Sequence, residues 1–270
     1  MNAVIAMAAA KTQACEPSKQ ADVAVRVENV SKWFDTHEPN GLTVLKDISF
    51  EVPRGSVVAL VGTSGCGKST LLNIVSGLIK ADRGSITYDG KVGKDFDDWS
   101  KVTYMFQEDR LLPWRSVRDN VAFGLEGTNL SRAARHARAR EMLRLVGLES
   151  HAGAWPHELS GGMRSRVALA RSLAAEPSVL LMDEPFSKLD PQTRSQMHDE
   201  LLRIQAGSGM TVVFVTHDME EAVVLADRVV RLAAWPGRVI DVIALDRLAR
   251  PRVPTSPAVA EQIRVLRSRP

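Results

Sequence analysis

The sequence is short of the features that would place a chain across a membrane or in a disulfide-stapled secreted scaffold. Only two of its 270 residues are cysteines, Cys15 and Cys66, too few for a framework of bridges. Long apolar runs are missing. The longest stretch without Asp, Glu, Lys or Arg is Ile204–His217, 14 residues that include Gln, Gly, Ser and Thr. A membrane-crossing helix needs about 20 mostly apolar residues, so a spanning chain is excluded. Aromatic residues are only 5%, and charge of either sign barely prevails: the net value is +3, which permits an anionic partner without requiring one. What is present is ordinary globular material, 44% hydrophobic and 25% charged, in one or two domains with ample length for a core.

Residues 3–10, AVIAMAAA, lack a basic segment before them and a good small-x-small cleavage site after them, and the residues preceding Cys15 make a poor acylation context. Residues 1–22 therefore read as a mobile tail. At the other end, residues 246–270 carry six arginines against Asp246 and Glu261. The segment reads as a solvated, Pro-punctuated tail ending in a short amphipathic helix; contact with anionic headgroups or nucleic acid is the other reading.

Between the ends, strand and helix patterns alternate. Val23–Val30 and Val44–Val52 alternate apolar and polar residues as half-buried strands do. Ser56–Val61 is continuously apolar and predicts a strand buried on both faces. Val102–Phe106, Val179–Met182, Thr211–Val215 and Arg228–Leu232 are further short strands. Helices are predicted at Lys68–Ile79, Val117–Leu125, Ala133–Val146, Arg164–Ala175, 191–206 and 218–226. This order predicts an α/β fold with a mainly parallel sheet. Residues of about 111–165 have helices without strands and read as an inserted subdomain within an ordered body of 23–245.

Residues 62–69, GTSGCGKS, fit Gly-x-x-x-x-Gly-Lys-[Ser/Thr] between a buried strand and a helix start. Such a loop turns successive N–H groups inward to cradle phosphate. Gly62, Thr63, Ser64, Gly65, Cys66, Gly67, Lys68, Ser69 and Thr70 are the candidate contacts. Lys68 would neutralise the β- and γ-phosphates, the Ser69 hydroxyl would ligate Mg²⁺, and Cys66 reads as a space-filling residue. The strand VLLMDE ends in Asp183 and Glu184, which puts carboxylates at the C-terminal edge of the sheet, where open α/β sheets bind nucleotides. Asp183 would hold Mg²⁺, and Glu184 would polarise the attacking water as general base.

Residues 159–163, LSGGM, followed by RSRVALARSL, closely resemble the signature of ATP-binding subunits of ABC transporters. The resemblance covers about residues 23–240 with the motifs in the family's order. It implies a P-loop NTPase (RecA-like) core with an antiparallel β subdomain and an inserted α-helical subdomain. It further implies that Gln107 belongs to a Q-loop that reaches Mg²⁺ or the water, that SKLD ending at Asp190 is the D-loop, and that His217 is the switch histidine. Phe34 would stack on adenine, with Trp33 a rival. The signature residues Ser160, Gly161 and Gly162 immediately precede a predicted helix, a second anion site. With Asp190 they would act in trans on ATP held by a second copy, in a head-to-tail dimer. Met163 departs from the family's Gln, and Lys188 replaces a small residue; Lys188 either tunes dimer closure or is a solvated charge.

The apolar loop segment Leu111–Trp114 reads as a docking patch for a membrane permease, as subdomain core, or both. This segment and PGR at 236–238 resemble ATPases of the nitrate, sulfonate and taurine importers. The function expected is thus an importer's ATP-hydrolysing subunit, using ATP and Mg²⁺ at the cytoplasmic face of the inner membrane. Its partners would be a second ATPase subunit, permease subunits and an extracytoplasmic solute-binding protein, and its solute a small anion. An exporter ATPase is one alternative. A soluble ATPase acting on nucleic acid is another, to which the basic segment Arg132–Arg144 lends support; it holds Glu141 and has few aromatics nearby, so no nucleic acid is expected.

Overall fold

The structure is a computed structural model, and it describes residues 22–34, 41–245 and 247–268. The readings made of residues 1–21, including Cys15, and of Asp246 and Arg269 fall outside the described residues.

The strands are β1 (Val23–Phe34), β2 (Leu42–Pro53), β3 (Val57–Gly62), β4 (Arg83–Tyr88), β5 (Lys91–Val92), β6 (Val102–Met105), β7 (Val179–Asp183), β8 (Thr211–Thr216), β9 (Arg228–Ala233) and β10 (Arg238–Ala244). The helices are α1 (Lys68–Val75), α2 (Val117–Phe123), α3 (Arg132–Leu145), α4 (Gly161–Ala174), α5 (Pro191–Ser208), α6 (Met219–Leu225) and α7 (Pro257–Ser268). The larger sheet runs β10-β9-β3-β8-β7-β6, parallel from β9 to β6, with β10 antiparallel at one edge. A second, antiparallel sheet runs β2-β1-β4-β5.

The apolar strands of the larger sheet have both faces covered, which is why their sequences are apolar without a break. Along β3, Val57, Ala59 and Val61 face one core and Val58 and Leu60 the other. The same alternation places Leu180 and Met182 of β7 in the first core and Val179 and Leu181 in the second. The first core holds the helices around α2–α6. The second holds α1, through Leu71, Leu72 and Val75, together with the antiparallel sheet.

Three differences from the sequence reading have local causes. Helix α1 stops at Val75 rather than Ile79, because Gly77 takes a left-handed φ of 76° two residues later. Helix α4 starts at Gly161, three residues earlier than the apolar periodicity places it, because Ser160 caps it. Strands β4, β5 and β10 escaped notice: β5 and β10 are edge strands, which carry weak apolar signals, and β4 beside β5 buries only Ile86 and Tyr88.

The basic C-terminal segment is not simply a solvated tail, as far as it is described. Helix α7 packs on α6 and buries Val259, Ile263 and Leu266. Arg252 is buried, and its guanidinium donates to the carbonyls of Val223, Ala226, Leu245 and Leu248. It thereby satisfies carbonyls at the end of α6 that have no helical partner. Arg250 pairs with Asp227, and Arg264 with Glu261. Much of the segment's charge is therefore spent on internal bonds. Replacing Arg252 by Met strands those carbonyls, and we expect a loss of about 2–4 kcal/mol in chemical denaturation, with faster amide exchange in α6 and α7.

Candidate active site

The parallel order of the sheet lines up the C-terminal ends of β3, β8, β7 and β6, and the chemistry-bearing residues follow directly on those ends. The loop after β3 closes on α1, whose N-cap Gly67 has a φ of 91°. A side chain there would be both strained and driven to 2.6 Å from Leu45 Cδ2, so only glycine serves. Lys68 Nζ donates to the carbonyls of Gly62 (2.8 Å) and Thr63 (2.9 Å), which holds the ammonium across the mouth of the loop. Cys66 is buried with Leu71 and Leu72 in the second core, a packing role.

The two carboxylates after β7 have opposite surroundings. Asp183 continues the Val179–Leu181 face of the strand and therefore turns toward α1. Burial pushes its pKa above the usual carboxylate range, while the hydroxyls of Ser69 and Tyr104 and the charge of Lys68 pull the other way. Tyr104 Oη lies 3.5 Å from Asp183 Oδ2, and burial together with the Asp183 charge raises the tyrosine pKa. Asp183 Oδ1 is buried without a hydrogen-bond partner.

Glu184 instead opens toward the cavity, with a left-handed φ of 46°, a costly backbone state of the kind that clusters at functional sites. Its Oε2 accepts from Gln107 Nε2 at 3.1 Å, and its Oε1 lies 3.3 Å from His217 Nδ1. Gln107 follows β6 and His217 follows β8, the two neighbours of β7, so three chain-distant residues converge because their strands are adjacent. With Val44, Lys68, Ser69 and Thr70 they line a cavity of about 580 Å³. A hollow of about 760 Å³ lies elsewhere, lined by Arg54, Arg138 and Arg203, whose charges are already paired with acids.

Ser160, Gly161, Gly162 and Asp190 do not line the cavity. Ser160 Oγ caps α4 by accepting from Met163 N at 3.2 Å, and Gly161 and Gly162 form its first turn. Asp190 caps α5, and the backbone N–H of Thr193 holds its carboxyl below the usual range. The two caps are neighbours: a side chain at Gly162 would meet Leu189 Cδ2 at 3.3 Å. Phe34 also stands outside the lining, at the end of β1, 40% exposed. Lys32 Nζ is 5.2 Å from its ring centre, and Arg83 lies over Trp33.

This loop, carboxylate pair and capped signature have known counterparts. The ABC transporter family model matches residues 45–187. The chain belongs to this family. A taurine import ATP-binding protein, TauB, of Rhizobium johnstonii is 47% identical over 84% of the chain and 86% of its own length. An aliphatic sulfonates import ATP-binding protein, SsuB, of Mycobacterium avium is 45% identical over 84% of each. Among solved structures, the ATP-binding cassette MJ0796, in a dimeric post-hydrolysis state bound to ADP and Pi, superposes with a TM-score of 0.74 at 32% identity, covering 82% of this chain and 98% of that one. The protein is an ABC transporter ATPase.

Several residues of this ATPase that shape the site went unread in the sequence. Tyr104 and Val44 are strand residues with no motif around them. Asn120, fully buried, bonds both the N–H (2.7 Å) and carbonyl (3.1 Å) of Leu112. Arg171 donates to the carbonyls of Asp109 and Arg110, and Arg164 pairs with Asp109 at 3.0 Å. These bonds fix the loop between Gln107 and Trp114, with Leu111 inward and Trp114 70% exposed.

The raised pKa of Asp183 makes a stability prediction. As pH climbs through the unfolded and then the native pKa, the buried carboxylate ionises at a cost to the fold. Asp183→Asn removes that cost. We expect a thermal midpoint equal to or above the parent's at neutral pH, a gain that shrinks on acidification, and ATPase turnover lower by at least about 100-fold.

Proposed function

We propose that this ATPase hydrolyses ATP in the cavity beside Lys68 and thereby drives uptake of a small anionic solute, of the sulfonate class, through separate permease subunits. The observation that carries the catalytic part is the Glu184 carboxylate held between Gln107 and His217 at the mouth of the phosphate loop. The names of the taurine and sulfonate importers support the solute class.

The residues fit Mg²⁺. Asp183 Oδ1 is a buried oxygen without a partner, and the Ser69 hydroxyl acts on the same carboxylate, pulling its pKa down against burial. Among the described residues no cluster of three or more His, Cys, Asp or Glu exists to cage a metal, and Mg²⁺ is characteristically held by one or two carboxylates plus substrate phosphates. Ser69, Asp183 and Gln107 are the residues to hold it. When bound it neutralises charge on the phosphate oxygens. The chain's own groups do the rest. Lys68 and the loop N–H groups bind the phosphates. Glu184 takes the proton of the attacking water, its two oxygens aimed by Gln107 and His217.

The signature and Asp190 serve a second copy's nucleotide. Support comes from their lying outside their own cavity and from the dimeric state of the related cassette with ADP and Pi. The subunit docks on the permease through Leu112 and the exposed Trp114, at the cytoplasmic face of the inner membrane, with an extracytoplasmic binding protein delivering solute. No helix among the described residues is long and apolar enough to cross a membrane. Nucleic acid is not among the partners we propose: Arg138 and Arg144 of α3 are paired with Glu141 and Glu149.

Glu184→Gln is expected to bind ATP, accumulate a dimer seen by size-exclusion chromatography, and hydrolyse at least about 100-fold more slowly. Near-normal turnover removes Glu184 from the base role. In the assembled transporter, the Leu112→Ala/Trp114→Ala pair is expected to cut solute uptake about tenfold or more while basal ATPase stays within about twofold. Unchanged uptake excludes this loop as the docking surface.

A further inference from the structure

Trp235 is the feature that neither packing nor the catalytic groups account for. It sits in the turn between β9 and β10. Its φ is 53°, a left-handed state rarely adopted by a bulky residue, and its side chain is 67% exposed. A strained backbone held for an indole that is mostly outside the core points to a role for the ring itself.

The turn is a fixed wall beside the phosphate loop. Gly237 N donates to Val44 O at 2.8 Å, and Gly237 O accepts from Lys46 N at 2.9 Å. A Cβ on Gly237 would stand 2.3 Å from Cys66 O, so the turn's backbone presses directly on the loop. The indole edge then covers the loop's apex: Cζ2 of Trp235 is the atom that a side chain on Gly65 would meet, at 3.5 Å. Val44, tied to this turn, lines the cavity, and the strand carrying it pairs with Phe34 through Leu42. Phosphates are served by N–H groups and Lys68. The purine and ribose need apolar and aromatic surface, and Phe34, at the end of β1, and Trp235 are exposed rings on the two elements tied to this edge.

We infer that Trp235 is a nucleotide-binding residue, a second aromatic surface for the adenosine part of ATP. This rests on the reading of the Lys68 cavity as the ATP site. Held rigid by the Gly237 bonds, the ring loses little freedom on contact with a base.

The test compares binding of ATP and of inorganic tripolyphosphate, each with Mg²⁺, to the full chain and to W235A, W235F and F34A by calorimetry. Stacking on an aromatic ring predicts that W235A weakens ATP roughly 5- to 100-fold and leaves tripolyphosphate within about twofold, while W235F retains most of the ATP affinity. Equal weakening of both ligands overturns the inference, because the turn then only props the phosphate loop. Unchanged ATP affinity in W235A also overturns it. If F34A weakens ATP in that case, the ATP-site reading stands without Trp235. Unchanged ATP affinity in W235A together with loss of the ATP-dependent dimer of Glu184→Gln overturns it in favour of a partner contact. Failure of the parent to bind either ligand overturns the ATP-site reading itself.

Discussion

Burial of the parallel sheet on both faces is the constraint on which the rest depends. β3, β7 and β8 contribute apolar side chains to one core and the other in strict alternation, so the middle of each strand leaves no position for polar chemistry. Functional groups must sit at the last residue of a strand, as Asp183 does, or beyond it. Because β6, β7, β8 and β3 run parallel in one sheet, those ends lie side by side, and Gln107, Glu184, His217 and the phosphate loop meet without any long excursion of the chain. The same geometry explains the division between adjacent carboxylates. Asp183 keeps the strand's alternation and is buried against α1, where desolvation raises its pKa. Glu184 breaks the alternation through its left-handed backbone and enters the cavity.

The chain uses polar side chains as braces, Asn120 and Arg252 buried and Arg164 and Arg171 half-buried. Asn120 grips the loop that carries Trp114, Arg171 and Arg164 hold the residues just after Gln107, and Arg252 ties the C-terminal segment to α6. Each brace satisfies backbone groups that have no secondary-structure partner, the condition for burying irregular chain at all. The loop they hold is thereby rigid enough to present an exposed tryptophan at a defined place. The turn at Trp235 is held in the same way, by backbone bonds to β2.

The phosphate loop, the Asp183–Glu184 pair and the apolar strands were legible in the sequence because each is a local pattern: glycine spacing, an apolar run with an acidic end, a capped helix start. Two helix limits were misplaced where a single residue overrides periodicity, Gly77 ending α1 and Ser160 starting α4. Tyr104, Val44, Asn120, Arg164 and Trp235 were not legible. All but Asn120 act on residues far away in the chain, and Asn120 on a loop eight residues before it; nothing in their own neighbourhood signals the partner. The arginines near the C-terminus misled for a related reason. Composition counts their charge, but it does not show that Arg250 and Arg264 are paired and that Arg252 is buried among carbonyls.

By itself the sequence determined most strand and helix identities and the glycine-spaced loop after β3, because local spacing sets backbone conformation and donor placement, and the order of its motifs carried the resemblance to the ATPase family. Only the tertiary structure decided which carboxylate is buried, that Gln107 and His217 share Glu184, and that the β9–β10 turn flanks the phosphate loop. Those outcomes depend on strand order and on which face of a strand meets which core, and both are properties of the assembled sheet.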